Sequence, residues 1–173
     1  MTCSRNAFLM AILTVAGLVC GTANAATDAD IPVLKSGQWN VVQVTNQEQD
    51  KKRVTTMCLD ETVQASMHDF GMGMAKDLCS QADRKSDGKR LTIDAVCKLG
   101  ATVMKSHSEM VFDGTTAYHT VAKATYDPKF MGMSESTTTL DGKWTGPCKP
   151  GQQPGDITLP GGQTINIKSM MKK

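Results

Sequence analysis

Residues 87–142 read DGKRLTIDAVCKLGATVMKSHSEMVFDGTTAYHTVAKATYDPKFMGMSESTTTLDG, and three Asp-Gly pairs punctuate them: Asp87-Gly88, Asp113-Gly114 and Asp141-Gly142. Asp-Gly accepts the positive φ that tight hairpin turns require. The segments between them, 91–97, 102–112 and 115–126, are rich in Thr, Val, Ser and Ala, so each is expected to be a strand with one buried and one wet face. Turns spaced 26 and 28 residues apart make an antiparallel meander. The expected fold class is mainly β: a curved antiparallel meander sheet with one short helix packed on it.

Upstream, the run from Gly37 to Val44 alternates as a first strand, and 54–59 is placed to pair with it. Asp60 is a helix N-cap in the right position, and Val63, Met67, Phe70 and Met74 form one apolar stripe at i, i+4, i+7 and i+11. Gly71 and Gly73 weaken the second half of that helix. With only one helix in view, a parallel α/β architecture is excluded. Beyond Cys148 the chain turns Pro- and Gly-rich and ends in basic residues, a tail or a marginal hairpin around Pro160-Gly161-Gly162. The organisation expected is a signal peptide at 1–25, a flexible start at 26–36, a single β-rich domain at 37–148 and a basic Pro/Gly-rich tail at 149–173.

The leader has Arg5, an uncharged stretch from Ala7 to Val19, and Ala23-Asn24-Ala25 as a cleavage site before Ala26. Its apolar run is too short to span a bilayer, so no transmembrane segment is expected and the protein is placed outside the cytoplasm. Cys20 is a poor lipidation site because Val19 before it is not small. Of 19 Lys plus Arg against 17 Asp plus Glu, the leader removes only Arg5, leaving a net charge of about +1. Neither that balance nor the few aromatics suits nucleic acid.

Cleavage also removes Cys3 and Cys20, and the four remaining cysteines in an oxidising compartment make two disulfides. Their wide spacing contains no zinc knuckle. A three-residue loop Asp87-Gly88-Lys89 sets Cys79 opposite Cys97, which leaves Cys58 for Cys148. The rival, Cys58 with Cys79, has to overcome a helix about 25 Å long between them and works only if that helix breaks at Gly71.

The order of marks resembles a bacterial exported family catalogued as domain of unknown function 3617. The marks are Gly37-Gln38-Trp39, Cys58-Leu59 before a helix, the central pair Cys79 and Cys97, Trp144-Thr145-Gly146-Pro147-Cys148, and Pro154-Gly155-Asp156 in the tail. The resemblance implies an exported, mostly β, disulfide-bearing protein of the bacterial periplasm. It implies no activity, cofactor or catalytic residue.

Candidate chemistry is sparse. Thioethers are soft ligands suited to Cu(I), and His68 with Met72 and Met74, or the Met131-Gly132-Met133 triplet, has the form of a copper carrier. On an intact helix, however, Met72 and Met74 diverge by about 200° and converge only if Gly71 and Gly73 unwind it. Met67 and Met74 have a second role open to them as core filler. His107 and His119 lie on the two arms of the hairpin at Asp113-Gly114, and share a face only if paired positions sum to an even number. Trp39 and Trp144 are either a ligand face or core anchors near the chain ends. No Gly-x-Ser-x-Gly, Gly-x-x-x-x-Gly-Lys or His-Glu-x-x-His is present. The function expected is a non-catalytic envelope protein that binds a partner protein or a small apolar ligand on its sheet, without a cofactor. A periplasmic Cu(I) carrier and an enzyme of unrecognised type are the alternatives.

The exported form is expected to start at Ala26 and carry no acyl chain. Intact mass of protein from the envelope fraction checks this, and a product starting at Cys20 with added lipid mass would overturn it.

Overall fold

The computed structural model describes residues 31–46 and 52–171. The expected leader, 1–25, and the first part of the expected flexible start, 26–30, lie outside the described residues. The chain forms β1 (Gly37–Thr45), β2 (Arg53–Leu59), α1 (Glu61–Leu78), β3 (Cys79–Ser86), β4 (Arg90–Leu99), β5 (Thr102–Asp113), β6 (Ala117–Phe130), β7 (Met133–Gly146), β8 (Asp156–Thr158), β9 (Thr164–Asn166) and α2 (Ile167–Met171). The strands make one open antiparallel sheet in the order β3-β4-β5-β6-β7-β1-β2-β8-β9. The meander is β3 to β7, and β1 returns to lie beside β7. The helix α1 joins β2 to β3, six strand positions apart, or about 29 Å at ~4.8 Å each. Its 18 residues span about 27 Å, so the connection fits a helix crossing one sheet face.

Following Cα partners across the ladders sorts the side chains into two faces. The face under α1 carries Trp39, Met57, Leu59, Leu91, Ile93, Met110, Phe112 and Tyr118. The other carries Asp94, Lys105, His107, His119, Lys123 and Asp141. One apolar and one wet face is the alternation expected of the meander strands.

The turns only partly follow the Asp-Gly pairs. At Asp87-Gly88 the loop has two residues, since Ser86 pairs with Leu91 and the Asp87 N–H bonds Arg90 O at 3.2 Å. That register alone would miss Cys79 against Cys97. A bulge between Cys79 and Gln81 restores it, so the expected pairing forms by a different route from the three-residue loop. At Asp113-Gly114 the loop is the three residues Gly114-Thr115-Thr116, between the pair Asp113 and Ala117. Asp141-Gly142 is no turn at all but lies inside β7, paired to both β1 and β6. A Cβ at Gly142 would overlap the ring of its partner Tyr118, so this glycine makes room for an aromatic inside a strand. The real β6–β7 turn is Met131-Gly132, both at positive φ, with Phe130 paired to Met133. Methionine is not a turn-forming residue, and only Gly132 marked the place.

The innermost core is small: Trp39, Leu59 and Val63, with Leu34, Met57, Tyr118, Trp144 and Ile167 packed against it. Trp39 has no exposed surface, stacks on Tyr118 at 5.8 Å, and donates its indole N–H to Lys35 O at 2.9 Å. Trp144 donates to Ser36 O at 3.0 Å and lies beneath the Lys35 ammonium at 3.8 Å. Gly37 sits at φ 137°, and a Cβ there would collide with Gly146 O. Glycine two residues before the tryptophan is therefore a steric requirement of the β1–β7 junction.

Both ends of the domain extend further than expected. The Leu34 backbone exchanges two hydrogen bonds with the Gln64 side chain, 2.8 and 2.9 Å, and Lys35 N bonds Thr115 O at 2.8 Å, so 34–36 is anchored rather than loose. After Cys148, β8 pairs with β2 and β9 with β8, while Gly155 N bonds Cys58 O at 2.8 Å. Of the two forms expected of this segment, a tail or a hairpin around Pro160-Gly161-Gly162, residues 156–166 take the hairpin, and it is the last of the sheet. The disulfides are Cys58–Cys148 and Cys79–Cys97, 90 and 18 residues apart in sequence.

Gly142→Ala should destabilise the protein by about 1–3 kcal/mol through overpacking against Tyr118. In a Tyr118→Ala background the same change should cost much less. Thermal or denaturant unfolding of the four proteins in this cycle measures the coupling, and equal costs in both backgrounds would show that the ring is not the obstacle.

Candidate functional site

The helix α1 starts where its cap dictates. Asp60 is extended, and its Oδ1 accepts the Val63 N–H at 2.7 Å and the Thr62 hydroxyl at 2.9 Å. The helix then runs unbroken through Gly71 and Gly73 to Leu78. Val63 is fully buried, but Met67, Phe70 and Met74 on the same expected stripe are 37%, 45% and 46% exposed. Core filling by Met67 and Met74 is thus corrected. The helix puts a fully buried side chain into the core only in its first turn, then crosses over β3 and β4, where short side chains leave a gap that Arg84 bridges with hydrogen bonds.

The side chains there are Ala82 and Arg84 from β3 and Ile93 and Ala95 from β4, with Ala82 paired to Ala95 and Arg84 to Ile93. Together with Met67, His68, Gly71, Met72 and Ala75 of the helix they line a cleft of about 280 Å³. Its walls are apolar except at one end. There Arg84 Nη1 lies 3.1 Å from His68 Nε2 and donates to Met72 Sδ at 2.7 Å, while His68 Nδ1 is 3.5 Å from the Asp69 carboxylate. Facing a guanidinium, Nε2 serves as acceptor only in the unprotonated imidazole.

This arrangement bears directly on the copper candidates. His68 and Met72, four residues apart, do share a helix face, but both turn their donor atoms to a guanidinium. Met74 points elsewhere, because the unwinding at Gly71 and Gly73 that would bring it round does not occur. The Met131-Gly132-Met133 triplet is the β6–β7 turn, with Met131 at its tip and 84% exposed. Nor does Trp39 offer a ligand face, since its ring is enclosed by the core.

The β5–β6 register sums to an even number, so His107 and His119 do share a face. They sit four residues apart along the paired strands, about 13 Å, and do not meet. Each instead holds its own cross-strand carboxylate: His107 Nδ1 to Asp94 Oδ1 and His119 Nδ1 to Asp141 Oδ1, both at 2.7 Å. A shallow depression of about 500 Å³ beside His119 is lined by Asn40, Val42, Val111, Asp113 and Lys143 among others. Its lining holds no serine, threonine or cysteine, and burial pushes the phenol of Tyr118 up, away from ionisation. A base held by an acid is present there without a hydroxyl or thiol nucleophile to activate.

Sequence reasoning missed Arg84 and the alanine floor. Parity counted from the Cys79–Cys97 pair would put Ala82 and Arg84 on the wet face, and only the bulge between Cys79 and Gln81, which has no mark in the sequence, brings them to the apolar one.

The sequence model of a family described as "Protein of unknown function (DUF3617)" matches residues 34–148. The match covers β1 through Cys148, including both disulfides and every residue of the cleft. A comparison with curated proteins found no match.

The cap that aims α1 over the cleft gives a pH signature. Desolvation opposes ionisation of Asp60, but hydrogen bonds from Val63 and Thr62 and the Lys168 ammonium outweigh it and hold the carboxyl below its ordinary value. Asp87, through the Lys89 and Arg90 N–H groups, and Asp156, through Gln153 N–H and the Asn166 side chain, are lowered as well. A carboxyl depressed on folding stabilises above its unfolded pKa of about 4, and that contribution is lost as pH falls through the folded value. Asp60→Ala should therefore cost about 1 kcal/mol at pH 7. The difference in melting temperature from wild type should shrink below about pH 4, whereas a gap that persists at pH 2 would mean the ionised cap contributes little.

Proposed function

The chain belongs to the DUF3617 family, and we propose that it is an exported, non-catalytic binding protein of the bacterial periplasm that takes a small apolar ligand in the cleft beneath α1. The observation that carries this is the mismatch between a helix rich in large apolar side chains and a floor of alanines below it. Met67 and Met72 line one cleft with Ala82 and Ala95, and its volume of about 280 Å³ is close to the ~300 Å³ at which small-molecule pockets begin. Methionine walls adapt to a ligand's shape at small cost. The leader 1–25 and two disulfides favour a compartment outside the cytoplasm. A Cu(I) site at His68 and Met72 has less behind it, because it would first have to displace Arg84. An enzyme has less still, since the depression beside the His119–Asp141 pair has no serine, threonine or cysteine in its lining.

Nile red, a neutral apolar dye, should bind the wild-type protein saturably with enhanced fluorescence, and Ala95→Trp, which fills the floor, should abolish that signal with the circular dichroism unchanged. Met67→Ala should weaken dye binding while costing under about 1 kcal/mol of stability, against the 2–5 expected of a buried methionine. Dye binding that survives Ala95→Trp, or no binding by wild type, would remove the cleft as the site.

A further inference from the structure

We infer that the end of the sheet reached by the β6–β7 turn is a membrane-contact surface, which sets its apolar tips into a lipid leaflet. This is independent of the cleft and of any ligand held there. The two ends of the sheet differ in turn chemistry. At one end the chain reverses through Asp87-Gly88 and through Gly114-Thr115-Thr116 after Asp113, the small and polar residues that exposed turns ordinarily carry. At the other, β4 turns into β5 through Gly100-Ala101 after Leu99, and β6 into β7 through Met131-Gly132 between Phe130 and Met133. Met131 is 84% exposed at φ 50°, so a large apolar side chain is held in water by a backbone that suits glycine or asparagine. Behind it Phe130 stacks on Tyr126 at 5.8 Å, which stiffens the base of the tip. The helix ends at the same place. Cys79, Cys97, Met104 and Tyr126 form one row in register across β3 to β6, and α1 stops beside that row with Met74 and Leu78 46% and 40% exposed.

Size, shape and charge select a lipid leaflet over a protein partner. Covering Met74, Leu78 and Met131 completely would bury on the order of 300 Å², well short of the ~800 Å² that each partner gives to a stable protein interface. The tips also come from separate elements, since the β3 and β6 ends of the row lie about 14 Å apart across three strand spacings. A fluid phase receives separate convex tips without a matching shape, whereas a protein partner would need a complementary surface for each. The nearby charges, Lys76, Asp77, Lys98, Asp127 and Lys129, are of both signs and nearly cancel. Attachment therefore draws on apolar burial rather than on attraction to anionic headgroups.

Co-sedimentation of the disulfide-bonded protein with phosphatidylcholine vesicles, with and without phosphatidylglycerol, tests this. Wild type should bind the neutral vesicles, with little gain from the anionic lipid and little loss as NaCl rises from about 0.1 to about 0.5 M. Met131→Asn suits the positive φ, so the fold should be kept while the partition coefficient falls at least about fivefold. Met131→Leu should bind as wild type does, and so should Thr115→Asp at the opposite end. The two tryptophans, Trp39 and Trp144, sit beside the Asp113-Gly114 turn, about 40 Å from the tip along β6. Brominated phosphatidylcholine should therefore leave the emission of bound wild type unquenched, while quenching the emission added by Met131→Trp. No binding to either vesicle, binding that requires phosphatidylglycerol or is lost in salt, undiminished binding by Met131→Asn, or quenching of Trp39 and Trp144 would each overturn the inference. A concentration-dependent dimer that Met131→Asn dissociates would overturn it as well, and would assign the tip to a second copy of the chain.

Discussion

The stacking of Trp39 on Tyr118 above Gly142 is the contact on which the other elements converge. It joins β1 to β6 across the intervening β7, because Gly142 is the one position in that strand where a side chain would occupy the space of the Tyr118 ring. With β1 fixed beside β7, β2 must follow on the outer side, and the last hairpin has an edge to pair with. The first turn of α1 closes over the same spot through Val63, and Leu34 reaches it from the N-terminal side through Gln64. The Gly-x-Trp and Trp-x-Gly elements are thus two halves of one junction: Gly37 at the end of β1 abuts Gly146 at the end of β7.

Concentrating the buried apolar surface at one end of the sheet leaves the β3–β4 end thinly covered. Ordinarily that would be a region of low local stability, with backbone exposed and few packed side chains. Here the meander offsets it through ladder bonding that is continuous from β3 to β7, with long strands in β5, β6 and β7. The sheet can therefore carry a cleft without a core beneath the helix.

Much of this was legible in the sequence. Strand alternation and the Asp60 cap come from local rules of spacing that tertiary structure had no reason to override, while the cysteine pairing is as expected although its turn is not, because a bulge makes up the missing residue. What was not legible was set by contacts between distant residues. Asp141-Gly142 has the chemistry of a turn and becomes strand because Tyr118, over twenty residues earlier, needs the space. Met131 has the chemistry of a core residue and becomes a turn because Gly132 and the strand lengths leave no other place to reverse. The helix stripe marks an apolar face, but periodicity does not say what lies opposite, and three of its four members meet an alanine floor or solvent. Of the candidate site, His68 and Met72 were visible for another chemistry, while Arg84 became visible only with the register of β3 on β4.

The placing of the disulfides explains how a helix so poorly packed keeps its position. Cys58 precedes the N-cap by two residues and is tied to Cys148, while Cys79 is the C-cap itself and is tied to Cys97. Both ends of α1 are thus bonded covalently to sheet strands or to the segment after β7. A helix held only by apolar contacts would have to bury its stripe, and the middle would sink onto the sheet or fray. Pinned at both ends, it needs neither, and its exposed methionines cost the folded state little while remaining free to close on something else. The crosslinks supply about 3 kcal/mol for the short loop and about 4–5 for the long one on a chain-entropy basis. Together that is comparable with the burial of about three large side chains, which is what the stripe gives up at Met67, Phe70 and Met74. Reduction should then loosen the roof of the cleft before it melts the meander, since β4 to β7 are held by their own ladders and α1 is not.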